Sequence, residues 1–431
     1  MSVLDLFTVL PTQTSIETGV HVEYHPLATI TQNGPIEYVI KGTGEDYLDL
    51  TNSYLHVQAK ITKPDGTDLD ESDDETVAPV NLWMHALFSE VDVSLNGTAI
   101  STSTNTYSYR AYLETLLNYG RDSKESQLAL SMFYKSNETE TPFSLEKNSK
   151  ALQRRRIRTK RSNVVDMVGR IHSDIFTQDK LILDNISLRL RFVRSKDTFS
   201  LLAKPKNEGE TTPQYKVKIV HSSLFIRKVK VNPAIVLAHA KALQTSTAKY
   251  PIKRVVLKVF SVPQGNMNIV QDNLFLSQKP NRLVIGLVDS KAYNGDYSLS
   301  PFEFKHYNIN SLSLYLDGVQ VPSKALKPDF ENDCYARSYH TLFTGTGMAW
   351  KDFGNFIKYK QYKEGNTLFC FDLTPSLSEG DMVELPKSVS LRLEIGFSKP
   401  LNDPAHIIIF GEQDSLIEID KSRQVITDFT A

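Results

Sequence analysis

Few residues in this sequence have the types and spacing that catalysis or metal binding requires. His172 and Asp174 could supply two metal ligands from one side of a strand, but no second histidine or carboxylate cluster follows at ligand spacing, so a loop or capping role is simpler. Gly42-Thr-Gly44 and Gly345-Thr-Gly347 lack the lysine of a phosphate-binding loop, and turns explain them. There is no Gly-x-Ser-x-Gly elbow, and neither cysteine lies in a nucleophile motif. We therefore predict no enzyme, no cofactor and no metal site.

The densest charge cluster is a basic segment, residues 154–161. It places six cations in eight positions: Arg154, Arg155, Arg156, Arg158, Lys160 and Arg161. Cations beside a DNA backbone release counterions, which gives affinity that is independent of base sequence. We therefore treat the basic segment as a candidate nucleic-acid-facing site. The competing interpretation is a solvated loop, or a loop paired with acidic residues such as those at 65–75.

The elements around these residues are organised by a hairpin that occurs twice. Residues 91–100 alternate apolar and polar side chains and contain the pair Asn96-Gly97, which favours a type I′ turn because both residues tolerate positive φ. Residues 312–321 repeat the pattern, with Asp317-Gly318 at the turn. The two stretches predict equivalent hairpins.

Other matches follow the two hairpins in the same order. Glu114-Thr-Leu-Leu-Asn118 corresponds to His340-Thr-Leu-Phe-Thr344. Ile186-Ser-Leu-Arg-Leu-Arg-Phe192 corresponds to Val389-Ser-Leu-Arg-Leu-Glu-Ile395, and both alternate apolar with charged residues. Repetition on this scale indicates two domains of one fold.

Length and composition agree with two soluble domains. The 431 residues exceed what one core usually holds, and 40% hydrophobic residues with a net charge of −1 describe a folded chain that is not a general polyanion binder. We expect no signal peptide and no membrane span, because no apolar run approaches 18 residues. Two cysteines are too few for a disulfide framework, so we expect folding in the reducing cytosol or nucleus.

Short strands separated by turn signals predict an all-β fold, two tandem eight-stranded jelly-roll sandwiches with a few inserted helices. An α/β fold would need a helix after most strands. The predicted order is an N-terminal arm (1–31), a first jelly roll (32–231), a connecting helix and linker (232–249), a second jelly roll (250–420) and a C-terminal tail (421–431). The acidic residues at 65–75 are predicted to form a solvated loop.

Four stretches carry a resemblance to a known family. They are His85 to Gly97, Leu316 to Asp329, Thr367 to Pro375 and Asp414 to Asp420. Taken in order and with the duplication, they resemble the double jelly-roll major capsid proteins of Polinton/Maverick elements and adintoviruses, over roughly residues 3–428.

The resemblance implies a homotrimeric capsomer of pseudo-hexagonal outline that tiles an icosahedral shell around double-stranded DNA. Implied partners are further copies of the chain, penton and minor capsid proteins, and the packaged DNA. The implied location is the virion capsid, assembled in the host cytoplasm or nucleus. The alternative is a tandem β-sandwich module that binds carbohydrate, since jelly rolls also serve lectins. Oligomeric state separates these two readings.

Overall fold

The structure is a computed structural model that describes residues 12–101, 104–135, 145, 149–207, 209–275, 278–375 and 387–428. The strands in these ranges are β1 (Ile16–Tyr24), β2 (Ile36–Ile40), β3 (Asp46–Thr62), β4 (Val77–Pro79), β5 (Phe88–Leu95), β6 (Thr98–Ala99), β7 (Val165–Gly169), β8 (Leu188–Arg194), β9 (Leu201–Ala203), β10 (Lys216–Val231), β11 (Ala248–Val262), β12 (Asn268–Gln271), β13 (Arg282–Asp289), β14 (Ile309–Leu316), β15 (Val319–Leu326), β16 (Leu368–Asp372), β17 (Leu391–Phe397), β18 (Ala405–Ile419) and β19 (Val425–Thr427). The α-helices are α1 (Trp83–Ala86), α2 (Tyr107–Asn118), α3 (Arg121–Glu125), α4 (Lys150–Thr159), α5 (Asp197–Ser200), α6 (Pro233–Ala242), α7 (Ser290–Asn294), α8 (Ala336–Thr344) and α9 (Tyr359–Lys363). Four short 3-10 turns, Glu71–Asp73, Gln127–Ser131, Lys160–Ser162 and Asp174–Phe176, complete the described elements.

The strands form two sandwiches with the same order of pairing. In the first jelly roll, one sheet is ordered β1-β10-β3-β7 and the other β2-β8-β5-β6. In the second jelly roll, the corresponding sheets are β11-β18-β13-β16 and β12-β17-β14-β15. The pair β4-β9 and the strand β19, which pairs with β18, are additions to this plan. The predicted all-β fold of two eight-stranded jelly rolls with a few inserted helices is confirmed.

The alternation in the sequence sets the register of the repeated strands. In the first jelly roll, the apolar residues of β5 lie opposite those of β8, and in the second those of β14 lie opposite those of β17. The facing pairs are Val91 with Phe192, Val93 with Leu190, Leu95 with Leu188, Leu312 with Ile395, Leu314 with Leu393, and Leu316 with Leu391. All of these side chains are buried except that of Leu316, which is half-buried. Since side chains alternate between the two faces of a strand, one face of each hairpin packs into its core.

The N-terminal arm predicted for residues 1–31 needs correction. Ile16–Tyr24 is strand β1, which pairs with β10 just as β11 pairs with β18 in the second jelly roll. The first jelly roll therefore includes residues before position 32. The alternation in β1 is weak because most of its side chains are exposed and Gly19 interrupts it. At the other end, β19 lies in the predicted tail of residues 421–431 yet pairs with β18.

Helix α2 packs the two jelly rolls against each other. The ring of Tyr112 stacks on that of Phe302 with centroids 4.3 Å apart and an angle of 4° between the planes. Tyr109 stacks on Tyr293 at 5.7 Å. The segment between β13 and β14 supplies the partner rings, so these aromatic contacts join the two sandwiches, in offset or stacked geometries that aromatic pairs favour.

In the described part of the chain, no helix is long and apolar enough to cross a membrane.

Candidate functional site

The basic segment is mainly helical, which corrects its prediction as a loop. Ser149 caps α4 by accepting a hydrogen bond from the backbone N–H of Leu152 at 3.2 Å. The residues that follow are mostly strong helix formers. Ala151, Arg155 and Thr159 recur at intervals of four, and all three are buried on one face of α4. The spacing therefore turns one cation of the segment inward.

Arg155 is a core residue, with 1% of its surface exposed. Its Nε donates a hydrogen bond of 2.9 Å to the carbonyl oxygen of Pro79 in β4. Burial lowers the pKa of Arg155 to about 10. Arg156 is half-buried, and burial lowers its pKa as well. Arg155 thus holds α4 against β4 and cannot reach a nucleic acid.

Arg158 binds neighbouring parts of its own jelly roll. Its Nη1 donates to the carbonyl oxygen of Ala129 and to the hydroxyl of Tyr134, both at 3.2 Å. Its Nη2 donates to the carbonyl oxygen of Asp166 at 3.4 Å. Like Arg155, Arg158 serves the packing of α4.

Lys160 and Arg161 pair with the acidic segment, residues 65–75. Lys160 Nζ lies 3.2 Å from Asp74 Oδ2, and Arg161 Nη2 lies 2.9 Å from Glu71 Oε1. Pairing of the basic segment with residues 65–75 was the competing interpretation of the sequence, and these contacts match it. Arg154, Lys160 and Arg161 are exposed. These three form the exposed basic surface of the segment.

The acidic segment is not wholly a solvated loop, which corrects that prediction. Asp73 is buried, and its Oδ1 accepts a hydrogen bond of 2.8 Å from the hydroxyl of Tyr215. Lys206 Nζ lies 2.7 Å from the same oxygen. Burial by itself would raise the pKa of Asp73, but Lys206 and Tyr215 outweigh it and the pKa is lowered. The end of the segment is therefore anchored to the first jelly roll.

The two predicted hairpin turns have matching geometry. Asn96 and Gly97 have φ values of 46° and 84°, and Asp317 and Gly318 have φ values of 47° and 81°. Positive φ at both central positions is the type I′ arrangement that such pairs favour.

Each turn is also tied to the neighbouring strand in the same way. The side-chain oxygen of Asn96 accepts from the N–H of Ser187 at 2.7 Å, and the N–H of Asn96 donates to the Ser187 carbonyl at 2.9 Å. The corresponding distances between Asp317 and Ser390 are 2.8 and 3.0 Å. Asn96 makes one further contact, since its Nδ2 donates to the Arg423 carbonyl at 2.8 Å and so links the first hairpin to the C-terminal segment.

His172 and Asp174 belong to a buried ion-pair network. His172 Nδ1 lies 2.6 Å from Glu114 Oε2, and Arg110 contacts both Glu114 Oε1 at 2.8 Å and Asp174 Oδ1 at 2.6 Å. Asp174 also accepts from the N–H of Val255 in β11 at 3.2 Å, so the network reaches the second jelly roll.

The pKa values of the two carboxylates in this network shift in opposite directions. The pKa of Asp174 is raised, because the effect of burial exceeds that of Arg110. Burial alone would raise the pKa of Glu114, but Arg110 and His172 lower it to about 2. Among the residues that the structure describes, no group of three or more His, Cys, Asp or Glu side chains could hold a metal ion. The arrangement locks α2 between the jelly rolls.

Comparisons with known proteins were made on the sequence and on the fold. No family model matches the chain. The uncharacterized protein F54H12.2 of Caenorhabditis elegans is 24% identical over 426 residues, which cover 97% of this chain and 99% of the relative.

Several solved structures of viruses and of their capsid proteins have a similar fold. A chain of the Sputnik virophage has a TM-score of 0.65 at 11% identity, covering 99% of this chain and 91% of its own. The Faustovirus major capsid protein has a TM-score of 0.59 at 10% identity, covering 96% and 92%, and the mavirus major capsid protein has 0.52 at 12% identity, covering 99% and 93%. The chain thus has the fold of double jelly-roll major capsid proteins. The narrower resemblance to Polinton and adintovirus proteins stays a prediction.

Proposed function

We propose that this chain is a structural major capsid protein of the Polinton and adintovirus type, and that three copies form a pseudo-hexagonal capsomer. The observation that carries the proposal is that one chain holds two jelly rolls of the same strand order, packed together through α2. A cyclic trimer of such chains gives a ring of six similar units, which is the outline needed to tile an icosahedral shell. The similarity to capsid folds extends over 99% of the chain.

The contact between the jelly rolls within one chain is a template for the contact between chains. In the first jelly roll, the helix of the inserted segment, α2, packs on residues between β13 and β14 of the second. Helix α8 occupies the position in the second jelly roll that α2 occupies in the first. Likewise, the segment between β3 and β5 in the first jelly roll corresponds to the segment between β13 and β14 in the second. In a closed ring, α8 and the loop after it would therefore pack on residues 63–87 of the next copy.

The loop after α8 has the surface that such a contact needs. Trp350 is 91% exposed and Phe353 is 57% exposed. Large aromatic residues are characteristic anchors of protein interfaces, where they become buried in pockets of the partner. In the ring, this aromatic patch faces a neighbouring chain and is covered.

Charge complementarity supports the same pairing. Residues 351–363 carry four lysines and one aspartate, whereas the acidic segment at 65–75 carries seven carboxylates, five of which also pair with cations of their own chain. Asp68 and Glu71 keep most of their side-chain surface exposed. Opposite charges on the two surfaces would steer association and fix the register of the neighbours.

The remaining parts of the proposal concern what surrounds the capsomer. Penton and minor capsid proteins complete the shell, which assembles in the host cytoplasm or nucleus and encloses double-stranded DNA. The exposed basic surface of Arg154, Lys160 and Arg161 faces the shell interior or a subunit junction, where its cations can contact phosphates. The work of the protein is self-association, without catalysis.

Negative-stain imaging of the purified chain tests the proposal. We expect particles of hexagonal outline with three-fold symmetry. Trp350→Ala should convert them to single elongated chains, because the anchor of the proposed interface is lost, whereas Trp350→Tyr should keep them. Single chains in the unsubstituted protein would overturn the capsid proposal and favour the carbohydrate-binding module.

A further inference from the structure

A cavity of about 570 Å³ lies where the two jelly rolls are joined. Its walls come from the start of β1, residues 180–183 before β8, the end of β10, the linker helix α6 and the start of β11. They are mainly apolar: Ile16, Leu181, Leu183, Val231, Ile235 and Leu243. Its volume falls in the range of about 300–1,000 Å³ that is typical of binding pockets. The cavity can therefore accept several apolar side chains.

Helix α6 borders this cavity and is unusual for a surface helix. Its sequence, Pro-Ala-Ile-Val-Leu-Ala-His-Ala-Lys-Ala, is apolar at most positions around the helix, yet none of its ten residues is buried in the described part of the chain. Leu237 is 71% exposed. A surface helix normally has a polar face toward water. An apolar helix beside an apolar cavity indicates that a further segment covers both.

The N-terminal segment of the same chain has the composition and position to do so. Residues 3–10 read Val-Leu-Asp-Leu-Phe-Thr-Val-Leu, with six apolar residues in eight positions. Ser15 lines the cavity, and its carbonyl oxygen accepts from the N–H of Asn232, the N-cap of α6, at 2.9 Å. The chain thus enters β1 beside the first turn of α6.

The geometry of the entry brings the segment within reach of the whole helix. Gln13 holds Ile16 through two side-chain hydrogen bonds, of 2.9 and 3.1 Å, which fixes the chain just before β1. The linker between this segment and β1 is short, since four residues span at most about 14 Å. Helix α6, with ten residues, is about 15 Å long. Residues 3–10 can therefore lie along α6 without stretching the chain.

We propose that residues 3–10 dock in the cavity and along α6 of their own chain. The tether gives the segment an effective concentration in the millimolar range, which favours it over a free apolar molecule. Lys180 and Lys249 line the cavity and can pair with Asp5, the one charged side chain of the segment. The docking is intramolecular, so it is expected in a single chain and in a trimer alike.

Hydrogen–deuterium exchange of the amides of residues 234–243 tests the docking. The intact chain is compared with a chain lacking residues 2–10 and with the double variant Leu6→Asp, Phe7→Asp, and Thr8→Ser is the matched control. We expect exchange in α6 to become about tenfold faster in the first two variants and to stay unchanged in the control, because a covering segment suppresses local opening. Thermal unfolding by circular dichroism verifies that each variant folds.

A synthetic peptide of residues 1–11 makes the test specific. Added to the truncated chain, it should restore slow exchange in α6, whereas the same peptide with Phe7→Asp should not. Unchanged exchange after truncation would overturn the proposal, as would a bound apolar small molecule detected by native mass spectrometry of the intact chain. Protection that appears only at concentrations where chains associate would assign the cavity to a neighbouring copy and would also overturn it.

Discussion

Helices α2 and α8 are counterparts in the two jelly rolls, yet they have different surroundings. Both carry a Thr-Leu pair, and both Leu116 and Leu342 are fully buried in their own sandwich. Nine of the twelve residues of α2 are buried, and Tyr109 and Tyr112 among them pack on the second jelly roll. In α8, only Ser338, Thr341 and Leu342 are buried. The repeat thus contains one contact between the jelly rolls within the chain, whereas most of α8, the counterpart of α2, stays unburied in the single chain.

A single repeat position shows the same contrast. Glu114 in α2 corresponds to His340 in α8. Glu114 is enclosed by Arg110 and His172, whereas His340 is exposed, with its ring centroid 6.1 Å from that of the exposed Trp350. Residues that point into each sandwich, such as Leu116 and Leu342, are of the same type in the two jelly rolls. Residues that point outward, such as Glu114 and His340, differ in type and in their surroundings.

The largest expected effect tests the equivalence of the two cores. Leu190 and Leu393 occupy matching positions in β8 and β17, and both are completely buried. Leu190→Ala and Leu393→Ala should each lower the free energy of unfolding by about 2–5 kcal/mol, through lost burial and the cavity that remains. Urea denaturation, followed through the unfolding transition of each jelly roll, measures this loss of free energy. A loss below about 1 kcal/mol at either site would break the equivalence of the cores.

The next effect sharpens the contrast between Glu114 and His340. The folded-state pKa of Glu114, about 2, lies below its ordinary value of 4.5. A depressed carboxyl pKa stabilises the fold above the unfolded pKa, and this contribution disappears as the pH falls from about 4.5 to 2. Glu114→Gln should therefore cost about 3 kcal/mol at pH 7.

The pH dependence identifies the cause. Between about pH 4.5 and 2, the unfolding free energies of the Glu114→Gln variant and the unsubstituted chain should converge, because the carboxyl of the unfolded chain binds a proton while that of the folded chain stays ionised. His340→Gln is the control and should change stability by no more than about 0.5 kcal/mol, as expected of an exposed residue. A constant difference from pH 7 to pH 2 would mean that packing, rather than charge, explains the role of Glu114.

A smaller effect separates two neighbouring cations of the basic segment. Arg155→Gln removes a buried hydrogen bond to the Pro79 carbonyl, and such a loss costs about 1–3 kcal/mol. Arg154→Gln, on the exposed side of α4, should stay within about 0.5 kcal/mol. Chemical denaturation of the two variants compares their free energies of unfolding. Equal stability would contradict the inward orientation of Arg155.

The smallest expected effect concerns binding to DNA. Substituting Arg154, Lys160 and Arg161 by Gln should weaken binding to double-stranded DNA without loss of fold. If these cations contact phosphates, the slope of log affinity against log salt should flatten by about 0.9 for each lost contact. Fluorescence anisotropy across a salt series measures the slope. An unchanged slope would mean that the exposed basic surface does not contact phosphates and that its cations pair only within the chain, with Glu71 and Asp74.

The sequence predicted those parts of the fold that are written as local patterns. The alternation at 91–95 and 312–316 and the turn pairs after them indicated the repeated hairpins, because strand period and positive φ are local properties. Strand β1 was missed since its side chains are mostly exposed and its partner β10 is remote in sequence. The burial of Arg155 was also not predictable, because its partner Pro79 lies 76 positions earlier and only the folded chain brings them together.

The exposure of the aromatic residues after α8 was likewise not predictable from the sequence. Nothing in the local sequence distinguishes Trp350, which is exposed, from Trp83, which is fully buried. Only the comparison of α2 with α8 shows that the second jelly roll has an uncovered counterpart of the first contact. The candidate interface therefore depends on the fold and its repetition.

Size-exclusion chromatography with light scattering tests the central claim most directly. If the uncovered face around Trp350 meets a neighbouring chain in a closed ring, the protein at micromolar concentration and neutral pH elutes as a single species of three times 48.7 kDa. Obligate interfaces of this kind are large, on the order of several thousand Å², and such a trimer should persist on dilution. A single species of 48.7 kDa under the same conditions would contradict the account.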